Sequence, residues 1–233
     1  AENITFVDCR ADGSLDLDCV ERRPADSWDG LLVTNVFGSA ADLAPYDHYC
    51  RSRGKLLLAD NAMAFLGFDR SGPGAPDEII SFHHTKPWGF GEGGCAVLPR
   101  ADAALFRHLL NFGHHAPPSL AAFAGNGKMS DLAAAAVIAR IEAEDEWAPL
   151  YGAQWQRIAD IGLRSGLRLL NRPAPGAVQG FVAFQAPGPI AGGLVLERSV
   201  PMAKYYPPLA ETPTARYLYD RNVCVACHPG MAL

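Results

Sequence analysis

Lys86 stands in the run SFHHTKPWGFGEGG, residues 81–94, among small, aromatic and glycine residues. A lysine taken out of water in such surroundings loses solvation, its pKa falls, and the neutral amine becomes a nucleophile toward carbonyl carbon. Schiff-base chemistry is one reading of the stretch; a solvated lysine at a strand end is the other. Asp60 lies in the apolar run KLLLADNA, residues 55–62, and a carboxylate at the end of a parallel strand faces the crevice where α/β proteins hold ligands. Gly89, Gly91 and Gly94 fit the pattern G-x-G-x-x-G, but a dinucleotide cradle needs a helix to begin at its glycines. The residues that follow, CAVLPR, are strand-like, so the glycines read as a tight turn that lets the chain double back.

The elements that must place Lys86 and Asp60 are short, nearly continuous apolar runs: ITFVD (4–8), GLLVTNVFG (30–38), KLLLADNA, DEIISFHH (77–84) and CAVLPR (95–100). Such runs suit strands covered on both faces. Between the second and third, SAADLAPYDHYCRSRG reads as a helix with Leu43, Tyr46, Asp47 and Cys50 along one side and Gly54 as its stop. Strand, helix, strand is then a right-handed parallel crossover. Two helices follow over ADAALFRHLLNFG and SDLAAAAVIARIEAEDEW, the second capped by Ser130 and carrying Leu132, Ala133, Ala136, Val137 and Ile141 on one face. A further helix is expected from Tyr151 to Leu170, then a break at NRPAPG and two more strands, AVQGFVAFQ and GGLVLERSV. These shifts divide the chain into a larger part, 1–147, and a smaller α+β part, 148–233.

An aspartate at one strand end and a lysine after the next is the order in which pyridoxal-phosphate enzymes hold their cofactor: the acid keeps the pyridine nitrogen protonated, and the lysine binds the aldehyde. The segments LLLADNAMAFLGF, DEIISFHHTKPWGFGEGGCAVL and FAGNGKMSDLAAAAVIARI resemble, in order and spacing, the DegT/DnrJ/EryC1/StrS sugar aminotransferases. The similarity runs from FVDCRADGSLDLDCVE at the front to AKYYPPLAETPTARYLYDRNVCVACHPGM at the back. It implies an α/β fold, the aspartate-aminotransferase-like fold type I with a mostly parallel sheet, plus a smaller C-terminal α+β domain. It implies that Lys86 joins the cofactor, pyridoxal 5'-phosphate, and later shuttles a proton, that Asp60 pairs with the pyridine nitrogen, and that Ser81 bonds the phosphate. Asn126 would reach the cofactor phosphate of a neighbouring subunit in a homodimer. His84, Tyr205 and Tyr206 are the expected substrate contacts. Retention of lysine, where dehydratase relatives carry histidine, implies transamination from glutamate to a nucleotide-linked keto sugar.

The chain also departs from the family pattern. Met63 occupies the place of a glutamine or histidine beside the cofactor ring, and a thioether can pack there but cannot replace the hydrogen bond. The resemblance begins about a third of the way through the family fold, past its phosphate loop and its ring-stacking aromatic residue, and the last helix of the small domain is absent. The alternative expectation is therefore a weakly active or inactive relative that serves as a binding or assembly partner, or half of a split enzyme completed by a separate chain.

Composition narrows the remaining classes. With 233 residues, 49% of them hydrophobic, the chain can bury a sizeable core, and a net charge of −5 disfavours nucleic acid and anionic membrane as partners. No apolar run approaches the roughly 20 residues of a membrane span, and AENITFVDCR lacks the layout of a signal peptide, so a cytoplasmic protein is expected. Cys224, Cys227 and His228 match the C-x-x-C-H spacing of covalent haem, yet an extended VCVAC run followed by proline and glycine reads as a strand end. No metal is expected: His83 and His84, adjacent on a strand, should point to opposite faces, and His114 and His115 have no spaced acid or cysteine beside them.

Overall fold

The computed structural model describes residues 3–39, 42–65, 76–190 and 201–231. In chain order the elements are α1 (Leu17–Glu21), β1 (Gly30–Thr34), α2 (Ala44–Arg51), β2 (Leu56–Asp60), β3 (Asp77–Ser81), β4 (Gly94–Val97), α3 (Ala103–Leu110), α4 (Asp131–Glu142), α5 (Glu144–Arg164), β5 (Arg168–Leu169), β6 (Phe181–Gln185), β7 (Met202–Ala203), α6 (Pro213–Arg221) and β8 (Asn222–Ala226). One sheet has the order β1-β2-β3-β4; the other has β5-β6-β8-β7. β1, β2 and β3 are parallel, and β4 doubles back antiparallel to β3. The crossover through α2 therefore forms as the apolar pattern requires, with Tyr46, Tyr49 and Cys50 buried. No helix among the described residues is long and apolar enough to cross a membrane.

One core joins both sheets to the helices. Trp88, Val137, Trp155, Ile158, Val182 and Phe184 belong to the same buried cluster, and burial of side chains of this size is worth about 1.5–3 kcal/mol each. α5 begins earlier than Tyr151, because Glu144, Asp145 and Glu146 fill its first turn, where carboxylates complement the positive end of a helix. Ser130 caps α4 as expected, its hydroxyl accepting the Ala133 N–H at 3.2 Å. Leu132, by contrast, is 85% exposed while Val137 is buried. The core-facing stripe of α4 is narrower than the apolar residues alone indicate.

Two strand expectations fail and one lies outside the described residues. ITFVD forms no strand; Ile4 is 63% and Phe6 44% exposed. The residues GGLVLERSV (192–200) are not described. The parallel strands are covered on one face only. Val33, Ala59 and Ile80 are buried, whereas Leu32, Leu56, Leu58 and Ile79, on the opposite face by strand alternation, are exposed. The register pairs Leu32 with Leu58 and Asp60 with Ile79, so the open apolar face is the one that carries Asp60.

The front of the chain is tied to α6 by Asp8. Its carboxylate accepts the N–H groups of Thr214 (3.0 Å) and Ala215 (3.1 Å), while Thr212 at the N-cap forms no side-chain cap. Burial pushes the Asp8 carboxyl up, but hydrogen bonds from Thr214, Thr212 and Cys9 outweigh it and hold the group down at about 2. A folded-state pKa below the ordinary 3.8 means stability present above that pH and lost as pH falls through about 2. Asp8→Ala should lower stability by about 1 kcal/mol at neutral pH. Urea denaturation of both proteins should show that gap closing between pH 3.8 and about 2; a gap independent of pH would show that the carboxylate is not the cap.

Candidate active site

β3 ends at Ser81, and the chain then turns back to start β4 at Gly94. Trp88, fully buried, locks this excursion by donating its Nε1–H to the Ser81 carbonyl at 2.8 Å. The Lys86 N–H reaches the His83 carbonyl, and the Gly89 N–H reaches the Lys86 carbonyl, both at 2.9 Å. A Cβ on Gly89 would lie 2.0 Å from the His83 carbonyl oxygen, and Gly91 has φ +64°. The glycines thus serve the return of the chain, and a strand follows them where a phosphate-binding fold would place a helix. Gly89→Ala should cost about 3 kcal/mol, because the overlap is with backbone and no side-chain rotation relieves it. An unchanged urea midpoint would show that the turn has another way to relax.

Lys86 is held within this turn and partly buried. Its Nζ lies 2.5 Å from the Met63 sulfur, which follows β2. Burial lowers the lysine pKa, and the charge of Asp60 pulls in the opposite direction. Asp60 ends β2, and its Oδ1 accepts the Ala62 N–H at 3.0 Å. The carboxylate lines a cavity of about 470 Å³ together with Thr34, Phe37, Tyr206 and Tyr219. A partly desolvated amine and a carboxylate thus act on each other electrostatically at the ends of adjacent parallel strands. An amine of this kind can capture a carbonyl compound, and a carboxylate can hold a protonated ring nitrogen.

The remaining expected residues fall in different places. The Ser81 hydroxyl accepts the His83 N–H at 3.2 Å. Tyr206 has φ +61°, packs edge-on against Phe37 at 5.0 Å and lines the cavity with Asp60. Tyr205 instead packs on Phe181 at 5.5 Å, with its N–H on the Asn222 side chain. Asn126 is exposed in a loop bridged to Asn111. Cys224 and Cys227 are 1% and 2% exposed and belong to different core clusters, and burial pushes both thiols up to about 12. They are packing residues of β8 and its end.

Two features depart from the sequence reading. The His83 and His84 rings do not point apart; their centroids are 4.0 Å from each other. The strand stops at Ser81 and His84 begins a turn, so strand alternation no longer governs them. Sequence reasoning also missed a buried polar chain. Asn35 donates its Nδ2–H to Asn61 Oδ1, and Asn61 donates to Glu78 Oε2 at 2.5 Å, with all three residues at most 3% exposed. Each asparagine sits one residue past a strand end, and that repeat was the signal. By alternation Asn61 faces away from Asp60, so the network secures the strand ends from the side opposite the cavity.

The chain is similar to several known proteins. The pattern of the DegT/DnrJ/EryC1/StrS aminotransferase family matches residues 2–161. Protein Rv3402c of Mycobacterium tuberculosis (strain ATCC 25618 / H37Rv) is 32% identical over 124 residues, 50% of this chain and 30% of that protein. The chain thus spans under a third of the length of the curated relatives it matches. Among solved structures, Helicobacter pylori PseC, an aminotransferase involved in the biosynthesis of pseudoaminic acid, superposes with a TM-score of 0.80 at 14% identity, covering 98% of this chain and 69% of its own. DesI, solved in the presence of its TDP-sugar product, gives a TM-score of 0.73 at 23% identity, with 95% and 63% covered. At these identities the structures speak for the fold, and the family pattern speaks for descent: the chain belongs to the DegT/DnrJ/EryC1/StrS aminotransferase family.

Proposed function

We propose that the complete protein is a pyridoxal-phosphate-dependent aminotransferase that moves an amino group from glutamate to the keto group of a nucleotide-linked sugar. The observation that carries this reading is the desolvated Lys86 amine lying within the electrostatic reach of Asp60 at adjacent strand ends. That donor set fits the cofactor, with an amine for its aldehyde, a carboxylate for its pyridine nitrogen and a hydroxyl, Ser81, for its phosphate. When bound, pyridoxal phosphate supplies a carbonyl that captures amines and a ring that withdraws electrons from the carbon beside them.

The chain's own groups do the rest. Lys86 Nζ, whose neutral form burial favours, would take up the proton of the donor's α-carbon and return it to the product. Asp60 would hold the ring nitrogen protonated. Met63 packs against Lys86 in place of a hydrogen-bonding side chain. Tyr206 borders the cavity that a sugar would enter, and His84 and Tyr205, which do not line it, would be outer contacts. Asn126, exposed in its loop, would reach the cofactor phosphate of a second subunit, which makes the homodimer part of this proposal. The sugar class draws support from PseC, a pseudoaminic acid enzyme, and from the TDP-sugar product of DesI.

The test is to incubate the protein with pyridoxal phosphate, glutamate and a panel of nucleotide-linked keto sugars, and to measure 2-oxoglutarate. Release that depends on one keto sugar is expected. Cofactor fixed on Lys86 without 2-oxoglutarate from any sugar would remove the substrate assignment and leave the cofactor. A second reading, a weakly active chain completed by a separate one, has one observation in its favour: the open apolar face of Leu32, Leu56, Leu58 and Ile79, a patch of the kind that marks an interaction surface.

A further inference from the structure

We propose that His83, His84 and Glu92 form a binding site for a divalent transition-metal ion of the zinc class, on the loop that carries Lys86. Each residue offers one ligand atom, and the three atoms lie within 4.8 Å of one another. His83 Nε2 and Glu92 Oε1 are 3.2 Å apart. A tetrahedral zinc ion with bonds of about 2.0–2.1 Å holds its ligand atoms about 3.3 Å from each other. One edge of the tetrahedron is therefore already at the required spacing. No gap in the cluster has to close by more than roughly 1.5 Å, and His84 and Glu92 are both exposed.

His83 is already held by a partner at its other nitrogen. Thr85 Oγ1 lies 2.7 Å from Nδ1, with the Thr85 backbone N–H at 3.3 Å. The hydroxyl can donate or accept and so accommodates both proton positions, whereas the backbone N–H can only donate and favours Nδ1 as an acceptor. Without metal, Nε2 carries the proton toward Glu92 and Nδ1 accepts from Thr85. With metal, Nε2 offers its lone pair to the ion and Nδ1–H donates to Thr85 Oγ1, the outer contact that orients a ligating histidine; the Thr85 backbone N–H, a donor only, must then turn away from Nδ1. Two imidazoles and a carboxylate suit zinc over magnesium or calcium, whose ligands are oxygens, and leave a fourth position for water. His83 and His84 stand on the outgoing limb of the loop and Glu92 on the returning one, so the ion would clamp the two limbs together. The site stands whether or not the chain is an aminotransferase.

The rival account is a hydrogen bond between His83 Nε2 and Glu92 Oε1 that needs no metal. Calorimetric titration of tag-free, metal-stripped protein with Zn²⁺, and with Mg²⁺ as control, separates the two. One Zn²⁺ per chain and no Mg²⁺ binding are expected, with affinity lowered at least ~10-fold in His84→Ala and in Glu92→Gln. Absence of Zn²⁺ binding, or equal affinity in wild type and both variants, overturns the site. Cobalt substitution adds an independent check: bands of a thiolate-to-metal transition would place the ion on cysteine and overturn the proposal, whereas ligand-field bands alone support it. Should His84→Ala fail to fold, Glu92→Gln still decides the matter, its side chain being 80% exposed.

Discussion

Lys86→Ala should abolish covalent capture of pyridoxal phosphate and lower turnover by at least ~10⁴-fold, since in the proposed reaction one residue supplies both the amine that meets the aldehyde and the proton carrier. After addition of cofactor and reduction with borohydride, wild type should gain one cofactor mass on the peptide containing residue 86, and the variant should gain none. Lys86→Arg should fail equally, because guanidinium cannot become a neutral amine in this range. The pH profile carries the physical cause. Burial disfavours the ammonium form, so the rate of adduct formation should rise with pH about a midpoint below the 10.5 of an ordinary lysine. A midpoint at or above that value would mean that burial does not govern the amine and would overturn the desolvated site.

For Asp60→Asn the expectation is different in kind. Lys86 remains, so the cofactor should still be captured, but the ring loses the carboxylate that holds its nitrogen protonated. Turnover should fall by ~10²–10⁴-fold, the size of a missing acid–base partner. The same substitution removes the charge that favours the Lys86 ammonium, so the midpoint for adduct formation should move down from its wild-type position. Lower turnover combined with a lower midpoint identifies Asp60 as the ring partner and the electrostatic neighbour of Lys86 at once. Lower turnover with an unmoved midpoint would separate the two groups and dismantle the site as described.

Much of this arrangement was legible in the residues themselves. Apolar runs with period and length suited to strands located β1, β2, β3 and β4, and the helix between the first two made them parallel. Once the strands were parallel, Asp60 had to end one of them and Lys86 had to follow the next. Gly89 announced a return of the chain, because no other residue leaves room for the His83 carbonyl. These features depend on contacts close in sequence, or on backbone geometry that a residue type dictates directly.

Other features depend on what a segment packs against, and there the residues alone misled. ITFVD has the composition of a strand but lies outside both sheets, since composition describes a preference and not the presence of a neighbouring strand. Leu132 is apolar yet exposed, because the axis of α4 turns a narrower stripe to the core. His83 and His84 meet because the chain leaves the sheet one residue after Ser81. The Asn35–Asn61–Glu78 chain and the entry of Tyr206 into the Asp60 cavity join residues far apart in the chain. Residue types and their order thus name the groups that could do chemistry and the strand ends on which they stand. Which of them share a cavity, a desolvated environment or a ligand cluster follows from long-range packing, which no local pattern encodes.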